Sequence, residues 1–492
     1  MSRRRTAGIV GLSVATALVA SAAPAASAAP ARVTFPTSGF PLGAPAAPVR
    51  TQSAVAPGVD LFRVRHGKAT EGYTVTVLMP NGRDHGTQLQ AEAKAIEVQT
   101  AGQSPTVLEF TRPEVADDPA RVYYAVRVGM WTLKQKAEAD KVVAELKKAG
   151  IRAITDYLGD DGFESTGPWD MRVLMVDPGA FRGSYQASVG ASVAARETTS
   201  SMSRRLKALA GVNGGFFNIH TAKNYQGDPV GISVVGGRLL SEAVPGRSAV
   251  VLKGRKATIT ELTSVTTVDT GTGTATAVQG VNRAAATDEL VVYTEEFGQK
   301  TPADDGTEAV IDASGRVIAI RQAGYAVPRG TWVLHGRGVA ADWVLANVTE
   351  GATLRLSTKV TDLRTQKTVA LTPETHIVGG GVGLVRNGRI NVTAKVNGHA
   401  SVNMVLRRHP RTMVGVTKSG GLILATVDGR RPGATVGASM VEAAQLMRWL
   451  GARQAINLDG GGSTAMVVRH KLVNTPSDGA ERTIGDALFI TP

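Results

Sequence analysis

Residues 455–466 read AINLDGGGSTAM and set one carboxylate, Asp459, at the start of a triple-glycine turn, Gly460, Gly461 and Gly462, followed by Ser463. Backbone without side chains lets a substrate come close, and successive glycine N–H groups can converge on an anion. The chemistry this points to is binding and cleavage of a polar, charged molecule. No Gly-Lys-Ser or Gly-Lys-Thr follows, which excludes a nucleotide-binding P-loop. Other polar turns close other apolar runs. HPRTMVG (409–415) carries Arg411 and Thr412, and the run 422–427 ends in Asp428 and Gly429. VNGGFF (212–217) carries Asn213, GVNR (280–283) carries Arg283, and NTPSD (474–478) ends in Asp478 with Arg482 just beyond.

The elements around Asp459 can be read from spacing. Ser439 precedes Glu442 by three residues, and Met440, Ala443, Ala444, Met447 and Leu450 recur at helical intervals up to Gly451. That pattern predicts a capped amphipathic helix. Residues 454–458, with Asn457 among them, predict a buried strand that delivers Asp459 at its end, where open sheets gather ligands. Glu442 is a third candidate carboxylate, although a capping-box partner at that position is also expected to be Glu.

In order, NGGFF, HPRT, VDGR, the helix with Glu442, NLDGGGST and NTPSD resemble the phosphodiester glycosidases, the family of the lysosomal uncovering enzyme. The resemblance covers about residues 165–492 and is densest over 411–478. It implies hydrolysis of the bond between an anomeric carbon and a phosphodiester oxygen. The cysteine-rich repeats of the animal enzyme are absent, so the same substrate is not implied. The phosphate group of a phosphodiester leaves as a weakly basic anion, so a strong general acid matters less than charge stabilisation and a carboxylate facing the anomeric carbon. Asp459 or Asp428 can serve as nucleophile or as the base that activates water. Arg411 can hold phosphate oxygens bidentately, with the N–H groups of the glycine turn, and Asn213 can bond sugar hydroxyls or an acetamido group. Arg283, Thr412, Asn457, Ser463 and Asp478 complete the expected substrate contacts. The contrasting reading is a non-catalytic binder of anionic wall glycans.

Composition narrows the setting. The 492 residues contain no cysteine, which excludes disulfides, thiolate metal sites and cysteine nucleophiles. Arg3, Arg4 and Arg5 precede an apolar stretch to about residue 22 and Ala26-Ser27-Ala28, so residues 1–28 are read as a signal peptide, by the Sec or twin-arginine route. No later segment is long and apolar enough for a transmembrane helix. The formal charge of +14 becomes +11 without those arginines, which favours anionic partners such as wall polymers or phosphosugars over nucleic acid for an exported chain. His220 and His376 lack ligand-spaced partners, and no calcium loop or zinc pattern occurs, so neither a metal nor another cofactor is expected.

Residues 29–56, rich in Ala and Pro, predict a linker. Two strand–helix–strand patterns follow, 73–78, 88–100 and 106–110, then 123–131, 134–149 and 151–157, which predict a small βαββαβ domain over 70–160. Its second half, YYAVRVGMWTLKQKAEADKVVAELKKAG, is similar to the sporulation-related repeat domain. That similarity implies binding to peptidoglycan glycan strands, with Tyr124, Arg127 and Trp131 as contacts. From residue 165 short strands with glycine turns and few helices, near 201–209 and 439–450, predict a strand-rich α+β catalytic domain. The Thr-rich stretch 263–276 is expected to be an exposed loop.

Overall fold

The computed structural model describes Met1 and residues 33–492 apart from 220–224, 272 and 274. Residues 2–28 of the expected signal peptide and His220 lie outside the described residues. An eight-stranded antiparallel sheet forms the centre, in the order Val49–Ala56, Val59–His66, Trp169–Val176, Leu422–Val427, Arg411–Thr417, Ala452–Asn457, Gly383–Arg386, Arg389–Thr393. Its middle strands are apolar at successive positions because both faces are covered. Ile423, Ala425 and Val427 face the helix Met440–Trp449, whereas Leu422 and Leu424 face a second sheet. Each fully buried Leu or Ile there contributes about 1.5–3 kcal/mol.

The second sheet runs Lys471–Leu472, Met466–Val468, Ala210–Asn213, Asp486–Thr491, Ser184–Val189. Val212, Met466, Leu488 and Ile490 pack from it against Leu424, Val414 and Ile456. The two sheets thus sandwich one core, and the ends of Ala210–Asn213 and Ala452–Asn457 meet at one rim. The helix starts as expected: Ser439 Oγ accepts from the Glu442 N–H at 3.1 Å, and Glu442 Oε2 accepts from the Ser439 N–H at 2.9 Å. Such a cap is worth about 1 kcal/mol.

Residues between these strands build two more sheets, one around Ser248–Lys253 and Lys256–Asp269, the other around Leu290–Thr294 and Thr307–Asp312. The Thr-rich stretch is therefore no loop: Lys256–Asp269 is a strand of 14 residues paired with Arg355–Asp362, and Ala275–Val278 folds back on it. Its β-branched threonines favour a pleated, half-buried surface, which outweighs their polarity. The helix Val339–Asn347 has no sequence cap, since Gly338 precedes it. Asp288 supplies the cap from a distance by accepting from the Val339 N–H at 2.9 Å.

The expected linker is also largely structured. Val49–Ala56 is the edge strand of the central sheet, and Phe35, Phe40 and Leu42 are buried. The Phe35 ring centroid lies 4.5 Å from that of Phe62 and 5.3 Å from that of Trp449, so this segment wraps the central sheet and the helix Met440–Trp449. Ala and Pro content hid the apolar anchors.

The N-terminal module orders its elements Tyr73–Val77, Gln88–Thr100, Pro105–Arg112, Arg121–Trp131, Lys136–Lys148, Ala153–Tyr157. Its four strands are antiparallel in the spatial order second, third, first, fourth. It is bonded to the main body: Asp117 accepts from the N–H groups of Ala394 and Val396, both at 2.9 Å, and Arg407 pairs with Asp156 at 3.1 Å and Asp161 at 3.2 Å.

Candidate functional site

Two turns distant in sequence are knitted together at the rim. The Leu458 N–H donates to the Thr412 carbonyl at 2.8 Å, and the Asp459 N–H donates to Gly214 at 3.0 Å. Asn213, 1% exposed, joins them: its Nδ2 donates to the Asp459 carbonyl at 2.8 Å, and its Oδ1 accepts from Thr412 Oγ1 at 2.6 Å and the Ala465 N–H at 3.0 Å. Asn213 and Thr412 are thus bonded to the backbone that holds Asp459 and to each other.

The glycines make room for two cations. Gly461 has φ +58°, and a Cβ there would stand 3.0 Å from Arg430 Nη1. A Cβ at Gly462 would stand 2.1 Å from Arg482 Nη2. Arg430 is oriented by His409, whose Nδ1 accepts from its Nε at 3.3 Å, while His409 Nε2 lies 2.9 Å from the Asn403 carbonyl. Burial, with Arg411 and Arg430 adding to it, pushes the His409 ring down to about 3, so it stays neutral and can accept. Arg482 Nε donates to Asp478 at 2.9 Å, and both side chains are exposed to about 40% (41% and 38%), so this pair can open to an anion.

Beside these cations sits the Asp459 carboxyl. Burial pushes it up to about 6, against the opposing effects of the Ser463 hydroxyl, the Gly460 N–H, Arg482 and Arg430. A second carboxyl, Asp486, is 1% exposed and follows the turn that carries Gly485. Its Oδ1 accepts from the Gly215 N–H at 2.8 Å, and its Oδ2 is buried without a hydrogen-bond partner. Burial pushes Asp486 up to about 7, and the Asp459 charge adds to the rise.

Other candidates are engaged elsewhere. Asp428 ends the strand neighbouring Arg411–Thr417 on the side away from Asp459, so the two carboxylate-bearing strand ends stand about 10 Å apart by strand spacing. It accepts from Asn474 Nδ2 at 3.2 Å and the Thr475 N–H at 3.0 Å, and burial raises its carboxyl. Glu442 takes a bidentate pair from Arg408 at 2.7–3.0 Å besides its capping bond. Arg411, 2% exposed, donates to the carbonyls of Ala438, Met404 and Arg407, and burial lowers its guanidinium to about 9. Arg411 is thus engaged with backbone carbonyls, whereas Arg430 and Arg482 lie against the glycine turn. Arg283 is bound to Glu242 and Glu289 beside the sheet that contains Leu290–Thr294. Asn457 is fully buried and donates to Leu458, and its Oδ1 has no hydrogen-bond partner. His376 lies in the strand Thr375–Gly379, where burial lowers it.

In the small module, Arg127 is paired with Asp161 at 2.6 Å and lies over the Phe163 ring, so it is engaged internally and not offered to a wall polymer. Tyr124 bonds the exposed Glu109, and Trp131 packs against the shared core. Among the described residues no group of three His, Asp or Glu side chains is arranged to hold a metal ion.

Arg430, Arg482, His409 and Asp486 are the residues that motif spacing did not select as a site. A signal existed for Arg430, which follows Asp428-Gly429 at a strand end as Gly460 follows Asp459. Asp486, at the head of the apolar run 487–490, gives no local sign of facing Gly215.

The carboxyl, the glycine turn and the NTPSD loop all lie in the C-terminal part of the chain. Residues 305–491 match the phosphodiester glycosidase family model. Asn213 precedes that span and joins it through the bonds above. The N-acetylglucosamine-1-phosphodiester alpha-N-acetylglucosaminidase of Mus musculus is 32% identical over 161 residues, 30% of each chain. The SPbeta prophage-derived uncharacterized protein YomE of Bacillus subtilis (strain 168) is 35% identical over 111 residues, 23% of this chain. This chain thus spans 30% and 16% of those two curated relatives. A crystal structure from Burkholderia pseudomallei K96243, described as a candidate exported protein, has TM-score 0.83 and 29% identity, with 94% of this chain and 100% of that one covered.

Proposed function

We propose that this protein is an exported phosphodiester glycosidase that hydrolyses a sugar-1-phosphodiester of the N-acetylglucosamine-phosphate type in envelope or extracellular glycans. The observation that carries the reading is the pair of guanidinium groups, Arg430 and Arg482, against Gly461 and Gly462 beside the Asp459 carboxyl. A phosphodiester needs cations on its oxygens, and the anomeric carbon needs a carboxylate near it; a binder of anions would gain nothing from the carboxylate.

In this reading the phosphate lies between Arg430 and Arg482. Asp459, ionised above about pH 6, takes a proton from a water that attacks the anomeric carbon. The bond from that carbon to the phosphate oxygen breaks with its electrons staying on oxygen. The products are a free sugar and a phosphomonoester, and the proton passes from Asp459 to solvent. A base with a pKa near the working pH suits this step, and the weakly basic leaving group removes the need for a strong acid.

The test is release of free N-acetylglucosamine from a phosphodiester-linked donor by the mature protein and by Asp459→Asn, with the anomer of the first product read by NMR. Turnover that falls by about 10³-fold or more in the variant supports the reading. Inversion supports Asp459 as base, whereas retention would make it a nucleophile. No turnover on any such donor, with anion binding intact, would leave a binding protein.

A further inference from the structure

We infer that the N-terminal βαββαβ module is a working part of the glycine-turn site, because it holds the loop that carries Arg430. The inference rests on the reading of Arg430 as a phosphate ligand and adds a positioning role for residues far from the turn.

Two routes connect the module to Arg430. The first is the loop itself, residues 428–437. Gly433 lies on Leu133 of the module, since a Cβ at Gly433 would stand 3.1 Å from Leu133 Cδ1, and its N–H points to the Tyr157 hydroxyl at 3.4 Å. The far tip of the Arg430 loop therefore rests on the module and not on the catalytic sheets.

The second route is the run Arg407-Arg408-His409. Arg407, largely buried, is held by three carboxylates of the module and its exit, Asp84, Asp156 and Asp161. Arg408 donates to the carbonyls of Gly159 and Phe163 and pairs with Glu442, which anchors the same exit to the helix Met440–Trp449. His409, next in sequence, accepts from Arg430. A shift of the module thus moves the residue that orients Arg430. Arg430 also acts electrostatically on Asp160, in the turn that leaves the module.

Both routes end on one exposed arginine whose backbone is left-handed at φ +56°. A long side chain on such a loop has several rotamers of similar energy, and fixing it before the substrate arrives lowers the entropy cost of binding. The module therefore acts on affinity for the phosphate end of the substrate rather than on the bond-breaking step.

The experiment uses the full chain with Arg407→Gln and, separately, Leu133→Ser. Hydrogen exchange of amides 429–437 should quicken about tenfold in both while the strand Ala452–Asn457 keeps its protection. Affinity for inorganic phosphate should fall about tenfold in each, with no further fall when Arg407→Gln is added to Arg430→Ala. On a turned-over donor, KM rises and kcat stays within a few-fold. Unchanged exchange at 429–437 in both variants, or a full additive loss on top of Arg430→Ala, would overturn the inference. Failure of phosphate to bind the parent protein would remove the clamp reading alone, because the exchange result decides the positioning separately.

Discussion

The guanidinium of Arg430 lies so close to Gly461 that a methyl group on that residue would stand 3.0 Å from Nη1. Gly461 also has φ +58°, which costs an L-residue about 1–2 kcal/mol. Gly461→Ala should therefore lower the melting temperature by a few degrees and raise KM for a phosphodiester about tenfold by moving Arg430. Unchanged KM with a lowered melting temperature would separate Arg430 from substrate binding.

On the proposed reading, Asp459 sets the acid limb of the pH profile. Its carboxyl, raised to about 6 by burial, must be ionised to accept a proton. The value of kcat/KM should rise with pH up to about 6 and level above it, and Arg482→Ala should move that limb upward by removing a charge that favours the anion. A flat profile between pH 4.5 and 7.5 would take Asp459 out of the proton-accepting role.

Asp486 makes an opposite statement about stability. Its folded-state value of about 7 lies above the unfolded value of about 3.9, so the folded chain holds the proton more tightly. Stability contributed by the neutral acid is present at low pH and is lost as pH rises from about 4 through 7, a difference of a few kcal/mol. Asp486→Asn, which keeps a neutral group at Gly215, should stabilise the protein at pH 8 more than at pH 5. Equal melting shifts at both values would mean that Asp486 is ionised in the fold.

Asn213 should behave as a structural clasp. Asn213→Ala removes its bonds to Thr412, Ala465 and Asp459 and leaves buried partners unpaired, at about 1–3 kcal/mol for each such group. Thermal melting should show a loss of several degrees together with loss of turnover, whereas loss of turnover without destabilisation would make Asn213 a substrate contact.

Glu442 offers a contrast with Asp459. Glu442→Gln weakens the pair with Arg408 and should destabilise by about 3 kcal/mol, while kcat of the folded fraction stays within a few-fold. A drop in kcat comparable to that of Asp459→Asn would restore Glu442 as a catalytic carboxylate.

How far the sequence could be read depended on how local each cause was. The helix Gln88–Thr100 and the Ser439–Glu442 cap were legible because the period and cap lie within a few residues. The strand end and turn at Asp459 were legible because glycines mark the turn. Arg411 and Arg430 could not be ranked in the same way, since one lies under the carbonyls of Met404, Arg407 and Ala438 and the other over Gly461, and neither contact leaves a trace in spacing. Asp486 was invisible for a related reason: its role comes from the pairing of Ala487 with Asn213, a register fixed by the fold and not by neighbours in the chain. The edge strand Val49–Ala56 was lost because composition was weighed over its three buried aromatic and aliphatic anchors upstream.

The strand Asp486–Thr491 lies between Ala210–Asn213 and Ser184–Val189, so the two turns that make the site close only after residues near 490 have been threaded between segments made much earlier. During synthesis the chain can carry Asp459, Arg430 and Arg482 before the rim that holds them exists. On the proposed reading, turnover is tied to completion of the sandwich, and a chain ending before Asp486 should show none.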